Sequence, residues 1–210
     1  MTDPTTTADD IANASCDRRF PRRFLAADVS APAVRAWCDG AGRHPGASLL
    51  LTGPVGVGKT WNAYGALRAT VVRLYNEAIR RQRADPTQHQ PQHLTPRGAL
   101  RWEAISVPDL LDDLRPGGLG EDSPHEIMIR YRSAGVLLLD DLAAQRDTAF
   151  TEEQLFRLIN HRYENELPTI FTTNAAPKKI GAQLGERIAD RLTEMCDIVV
   201  LTGDSRRMPR

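Results

Sequence analysis

The chain has 210 residues, with 27 basic side chains against 27 acidic, so it suits one compact domain and leaves little room for a second. No apolar stretch approaches the ~20 residues that cross a bilayer, and the first twenty residues lack the apolar core of a secretory signal; a cytoplasmic protein with no membrane partner is expected. Charge balance removes any global field for polyanions, so a polyanion site must be local, and Cys16, Cys38 and Cys196 form no metal-binding or disulfide spacing.

Residues 1–20 carry few large apolar side chains, and a disordered or extended tail is expected there, with the remaining domain spanning 21–210. The segment Arg18–Phe24 interleaves Arg with aromatics, a composition found at polyanion sites and in arms that pack on their own domain; packing is favoured. Pro32–Cys38 reads as a short helix. Ser48–Thr52 is a short apolar run ended by Gly-Pro, hence a buried strand. A long helix follows from about Gly58 into Arg80–Arg83, then residues 84–98, rich in Pro, Gln and His, read as an exposed insertion loop.

A strand near Arg101–Val107, a helix at Pro108–Leu114, a mobile Gly-rich loop at Arg115–Asp122 and a helix at His125–Arg132 come next. They lead into the apolar run Val136–Leu139, typical of a central parallel strand. Thr151 and Gln154 predict a capping box for a helix over Glu152–Asn165. Pro168–Thr173 reads as a fourth strand, Pro177–Glu194 as a helix pair and Asp197–Leu201 as a fifth strand. Strands alternating with helices predict an α/β fold, a five-stranded parallel sheet with helices on both faces. About nine residues follow the last strand, so a full helical lid domain is not expected.

Gly53-Pro54-Val55-Gly56-Val57-Gly58-Lys59-Thr60 fits the phosphate-binding pattern G-x-x-x-x-G-K-[ST], between a strand and a helix as the chemistry requires. Glycines let successive N–H groups and the helix N-terminus face phosphates. Lys59 supplies charge at the β- and γ-phosphates, and the Thr60 hydroxyl completes a magnesium shell. Trp61 continues the segment into the helix. ATP and Mg²⁺ are the expected cofactors.

Asp140 and Asp141 end the apolar run at Val136–Leu139 and are the expected partners: Asp140 for magnesium, Asp141 as the base that orients water. Asn174, after the fourth strand, either reaches the γ-phosphate or is a turn residue. Arg187 and Arg191 share a helical face and either reach a ligand or pair with Glu186, Asp190 or Glu194.

As a set, LLLTGPVGVGKT, VLLLDDL, LFRLINHRYENELPTIFTTN and LGERIADRL resemble the DnaC-type helicase loaders and the related IstB-type transposition helper ATPases. The resemblance covers roughly Phe24 to Arg207 and implies a P-loop NTPase core of the AAA+ kind, in a family similar in lacking a full lid. It implies that Asn174 is sensor 1, that Arg191 is an arginine finger acting on a neighbouring subunit, and that Arg207 resembles a sensor 2. The acid after Asp140 is Asp141 where the wider AAA+ class prefers Glu, so slow hydrolysis, stimulated by assembly or DNA, is expected. Implied partners are single-stranded DNA, a replicative helicase or transposase, and further copies of the chain. A P-loop small-molecule kinase, and an ATP-dependent assembly switch with negligible turnover, are the readings from other classes.

Overall fold

Apolar runs too short for helices become the strands β1 (Ser48–Thr52), β2 (Trp102–Ser106), β3 (Val136–Leu142), β4 (Thr169–Thr173) and β5 (Cys196–Val200). In the computed structural model, which describes residues 7–41, 48–84, 101–115, 122–142 and 149–204, they form one parallel sheet in the order β2-β3-β4-β1-β5. Every residue of β1 and β4 is buried, as a sheet covered on both faces demands. Alternate side chains feed opposite layers. Leu49, Leu51, Leu138 and Ile170 join one core with α1 (Ala8–Arg19), α2 (Pro32–Ala36) and α3 (Lys59–Ala84). Leu50, Leu137, Leu139 and Phe171 join the other with α4 (Val107–Asp113), α5 (Pro124–Arg132), α6 (Ala149–Glu164), α7 (Ile180–Leu184) and α8 (Glu186–Met195).

The N-terminal segment departs from the extended tail expected of residues 1–20. Residues 8–19 are helical, begun by a reciprocal cap in which the Asp10 amide donates to Thr7 Oγ1 (3.2 Å) and the Thr7 amide to Asp10 Oδ2 (2.9 Å). Small buried residues, Ala12 and Cys16, face α3, and Arg68 pairs with Asp17 at 2.7 Å. The helix is held by its docking on α3 rather than by large apolar side chains of its own.

The Arg-aromatic segment packs on its own domain, as favoured. Phe20 meets Tyr64 and Trp102 edge-on with centroids 4.9 and 5.4 Å apart, and Phe24 stacks on Tyr64 at 4.4 Å. Arg19 lies over the Trp102 ring and donates to the Trp102 carbonyl (2.7 Å) at the sheet edge.

Helix α6 starts at Ala149, so Thr151 lies inside its first turn rather than capping it. The 84–98 stretch, except for Ala84 at the end of α3, and most of the 115–122 loop fall outside the described residues.

At the N-terminal edge of the sheet, Arg162 of α6 is fully buried. It donates to the carbonyls of Tyr131, Arg132, Ala134 and Pro168 and to Thr169 Oγ1, at 2.7–3.2 Å. Burial lowers its pKa to about 9, so it remains charged at neutral pH. This one side chain joins the end of α5 and the approaches to β3 and β4. Arg162→Met leaves those carbonyls without donors, and a loss of roughly 3 kcal/mol or more is expected in urea unfolding. A loss below about 1 kcal/mol would mean that water replaces the guanidinium.

Candidate nucleotide site

β1 ends at Thr52, and the next residues turn tightly before α3 begins. Gly53, Gly56 and Gly58 take φ of 147°, 93° and 94°, conformations that glycine adopts without strain. Gly53 also has no space for a side chain, since a Cβ there would lie 2.2 Å from the Leu201 carbonyl oxygen just past β5. Lys59 Nζ turns back to donate to the carbonyls of Gly53 (2.8 Å) and Pro54 (2.7 Å), holding a cation across the mouth of the loop.

Beneath it, Thr60 Oγ1 lies 3.0 and 3.3 Å from the two carboxylate oxygens of Asp140. Thr172 of β4 donates to Asp140 Oδ1 at 2.6 Å. Burial, the largest effect, raises the Asp140 pKa against the lowering influence of both hydroxyls and Lys59. The hydroxyl and carboxylate form a hard-oxygen pair that fits magnesium. Among the described residues there is no cluster of three His, Cys, Asp or Glu side chains to hold a metal unaided. A cation here would therefore take the rest of its shell from phosphate and water.

The register of β3 against β4 shifts between Leu139 and Leu142, and within that irregularity Asp141 takes φ 62°. Its amide donates to Thr172 Oγ1 (2.9 Å), and Asn174 Nδ2 donates to its Oδ1 (3.0 Å). Asn174 is thus tied to the acid that was read as the base.

A cleft of about 610 Å³ is lined by Val55, Gly56, Gly58, Lys59, Thr60 and Trp61 together with Asp140, Asp141 and Asn174. Of the residues singled out in the sequence, the buried Val57 and Gly53 support the loop from behind instead. Arg191 is not part of the cleft lining. Its Nε donates to Asn160 Oδ1 (3.1 Å), its NH1 lies 3.3 and 3.4 Å from Asp190 and Glu194, and it covers the Tyr163 ring. Arg187, the alternative on that helix, sits over the Phe156 ring at 3.7 Å. Arg207 lies outside the described residues.

Three lining residues were not singled out for the site. Thr172 holds both acids in place, and Arg23 and Phe24 form the outer wall. Asn62 adds support, accepting from the amides of Ser30 and Ala31 and donating to the Gly58 carbonyl. The Thr-Thr-Asn ending of β4 was the available signal for Thr172, because a hydroxyl at a strand end can serve a neighbouring strand's carboxylate.

The chain has an AAA+ P-loop fold. The helicase loader DnaC, in its crystal structure, superposes with a TM-score of 0.64 at 21% identity, covering 87% of this chain and all of that one. In sequence, the chain is 29% identical over 180 residues to a Mycobacterium tuberculosis (strain H37Rv) insertion-sequence protein named as ATP-binding. It is 23% identical over 177 residues to the replicative helicase loader DnaI of Bacillus subtilis. These are the two groups that its motifs resemble. The alignments take in 83% and 78% of this chain but 59% and 49% of those relatives, so it spans about half of their length. No protein-family model matches.

The raised Asp140 pKa has a stability consequence. A carboxyl that is harder to ionise when folded contributes stability below its unfolded pKa, and that contribution is lost as pH rises through the folded value. Without added ligand, Asp140→Asn is therefore expected to raise Tm at neutral pH, with the gain shrinking as pH falls into the carboxylate range. Thermal melts at several pH values test this; a variant less stable at neutral pH would show that the two threonine hydroxyls outweigh desolvation.

Proposed function

We propose that this chain binds and hydrolyses ATP and acts on DNA as a helicase loader of the DnaC type. The observation that carries this reading is the linked set Thr60, Asp140, Thr172, Asp141 and Asn174 beneath a Gly-rich loop. The named roles of the loader relatives supply the DNA and helicase part of the proposal.

The loop amides and Lys59 hold the phosphates, with Lys59 exchanging the Gly53 and Pro54 carbonyls for phosphate oxygens. Thr60 and Asp140 would hold a magnesium ion, which would supply charge neutralisation to the phosphates. Asp141 and Asn174 orient a water towards the γ-phosphorus. As its oxygen bonds to phosphorus, the bond to the β,γ-bridging oxygen breaks and the water's proton passes to the Asp141 carboxylate, leaving ADP and inorganic phosphate. Arg191 serves a neighbouring copy's ATP once it leaves Asn160 and Tyr163, which makes turnover depend on assembly. A helper ATPase in transposition is the second reading, favoured by the higher identity and coverage of the insertion-sequence relative.

ATP turnover of wild type, Lys59→Ala and Arg191→Ala, measured against protein concentration with and without single-stranded DNA, tests the proposal. Turnover per subunit is expected to rise with concentration and DNA, and to fall by ~10²-fold or more in both variants. Concentration-independent turnover that survives Arg191→Ala would reduce the reading to a P-loop enzyme without a finger in trans. Co-purification with a replicative helicase or with a transposase under ATP separates the two partners.

A further inference from the structure

We propose that the surface formed by Arg132, Arg157 and His161, where the end of α5 meets α6, contacts the phosphodiester backbone of a nucleic-acid strand. This rests on the proposed action on DNA and assigns it a place remote from the ATP cleft. Arg132 lies just before β3 begins, whereas Asp140 lies towards the strand's other end; the two sites are at opposite edges of the parallel sheet.

The three residues adjoin. Arg132 NH2 donates to the Arg157 carbonyl (3.2 Å), and His161 follows Arg157 by one turn of α6. Positive charge here is poorly matched. The charge acting on Arg132 is that of another cation, Arg157, and Arg132 Nε is buried with no hydrogen-bond partner among the described residues. Arg157 reaches Glu153 only at 3.9 Å with both side chains more than half exposed, so that pair is weak. Behind them, buried Arg162 is satisfied by carbonyls and a hydroxyl rather than by a carboxylate. Burial, then Arg132 and Arg162, lower the His161 pKa, with Glu164 opposing, so His161 meets a phosphate as a neutral N–H donor and the positive charge comes from the two arginines.

A nucleic-acid strand fits this surface better than an acidic protein for two reasons. Arg157 and His161, one helical turn apart, are separated by about 6 Å, close to the step between successive phosphates of an extended strand. Ile129, half exposed and three residues before Arg132 on α5, offers apolar surface beside the cations for a sugar or base. In a chain of zero net charge this is the kind of local site that polyanion binding requires.

The test is fluorescence anisotropy of a labelled oligo(dT) strand with wild type, Arg157→Ala/His161→Ala and Arg132→Gln, titrated at several salt concentrations. Expected is an affinity loss of about tenfold in each variant at low salt, with a salt dependence shallower by about one unit of log–log slope per lost phosphate contact. Basal ATP turnover without DNA and the melting temperature of Arg157→Ala/His161→Ala are expected to match wild type. The inference is overturned if the variants bind like wild type at every salt concentration. It also fails if inorganic phosphate or poly-glutamate at matched ionic strength displaces the strand from wild type, since the site would then serve a free anion or an acidic protein. If wild type itself does not bind the strand, the proposed action on DNA fails together with this surface, whereas unchanged variants beside a binding wild type remove this surface alone.

Discussion

A carboxylate drawn out of water needs donors, and Asp140 obtains them from two hydroxyls on different elements, Thr60 on α3 and Thr172 on β4. That requirement organises the cleft lined by the Gly-rich loop. The P-loop helix can seat only where Thr60 meets the end of β3, and β4 must run beside β3 for Thr172 to reach. Thr172 then accepts from the Asp141 amide, so one threonine sets the positions of both acids. The adjacent irregularity in β3 turns what would be alternating strand residues towards a single cleft.

The other edge of the sheet is organised by the opposite charge. Arg162 spans backbone carbonyls that the ends of α5, β3 and β4 would otherwise leave buried without donors. With a half-buried acid towards one end of β3 and a buried base near the other, this net-neutral chain keeps Asp140 and Arg162 apart. The Arg162 charge reaches the neighbouring His161, whose pKa is lowered first by burial and then by Arg132 and Arg162.

The parts legible in the sequence were those whose physics is local. Val136–Leu139 could be read as a buried strand because an apolar run of that length has few other places to go, and the Gly-rich loop was legible because phosphate binding dictates its spacing. What stayed hidden depends on contacts between distant residues. Helix α1 looked unstructured because its buried face consists of Ala12 and Cys16, whose burial depends on α3 approaching. Thr151 and Gln154 matched a capping pattern, but the helix had already begun at Ala149. Nothing around Arg162 announces that it is buried; its partners lie on segments up to 31 residues away.

The left-handed backbone of Asp141 constrains which acids its position can accept. Aspartate enters this region more readily than most residues because its short polar side chain can hydrogen-bond locally, against an ordinary cost on the order of 1–2 kcal/mol. The short acid is therefore matched to the local bend. Exchanging Asp for Glu here would involve the main chain as well as the side chain, so the reach of a carboxylate at position 141 into the cleft is coupled to the path of β3.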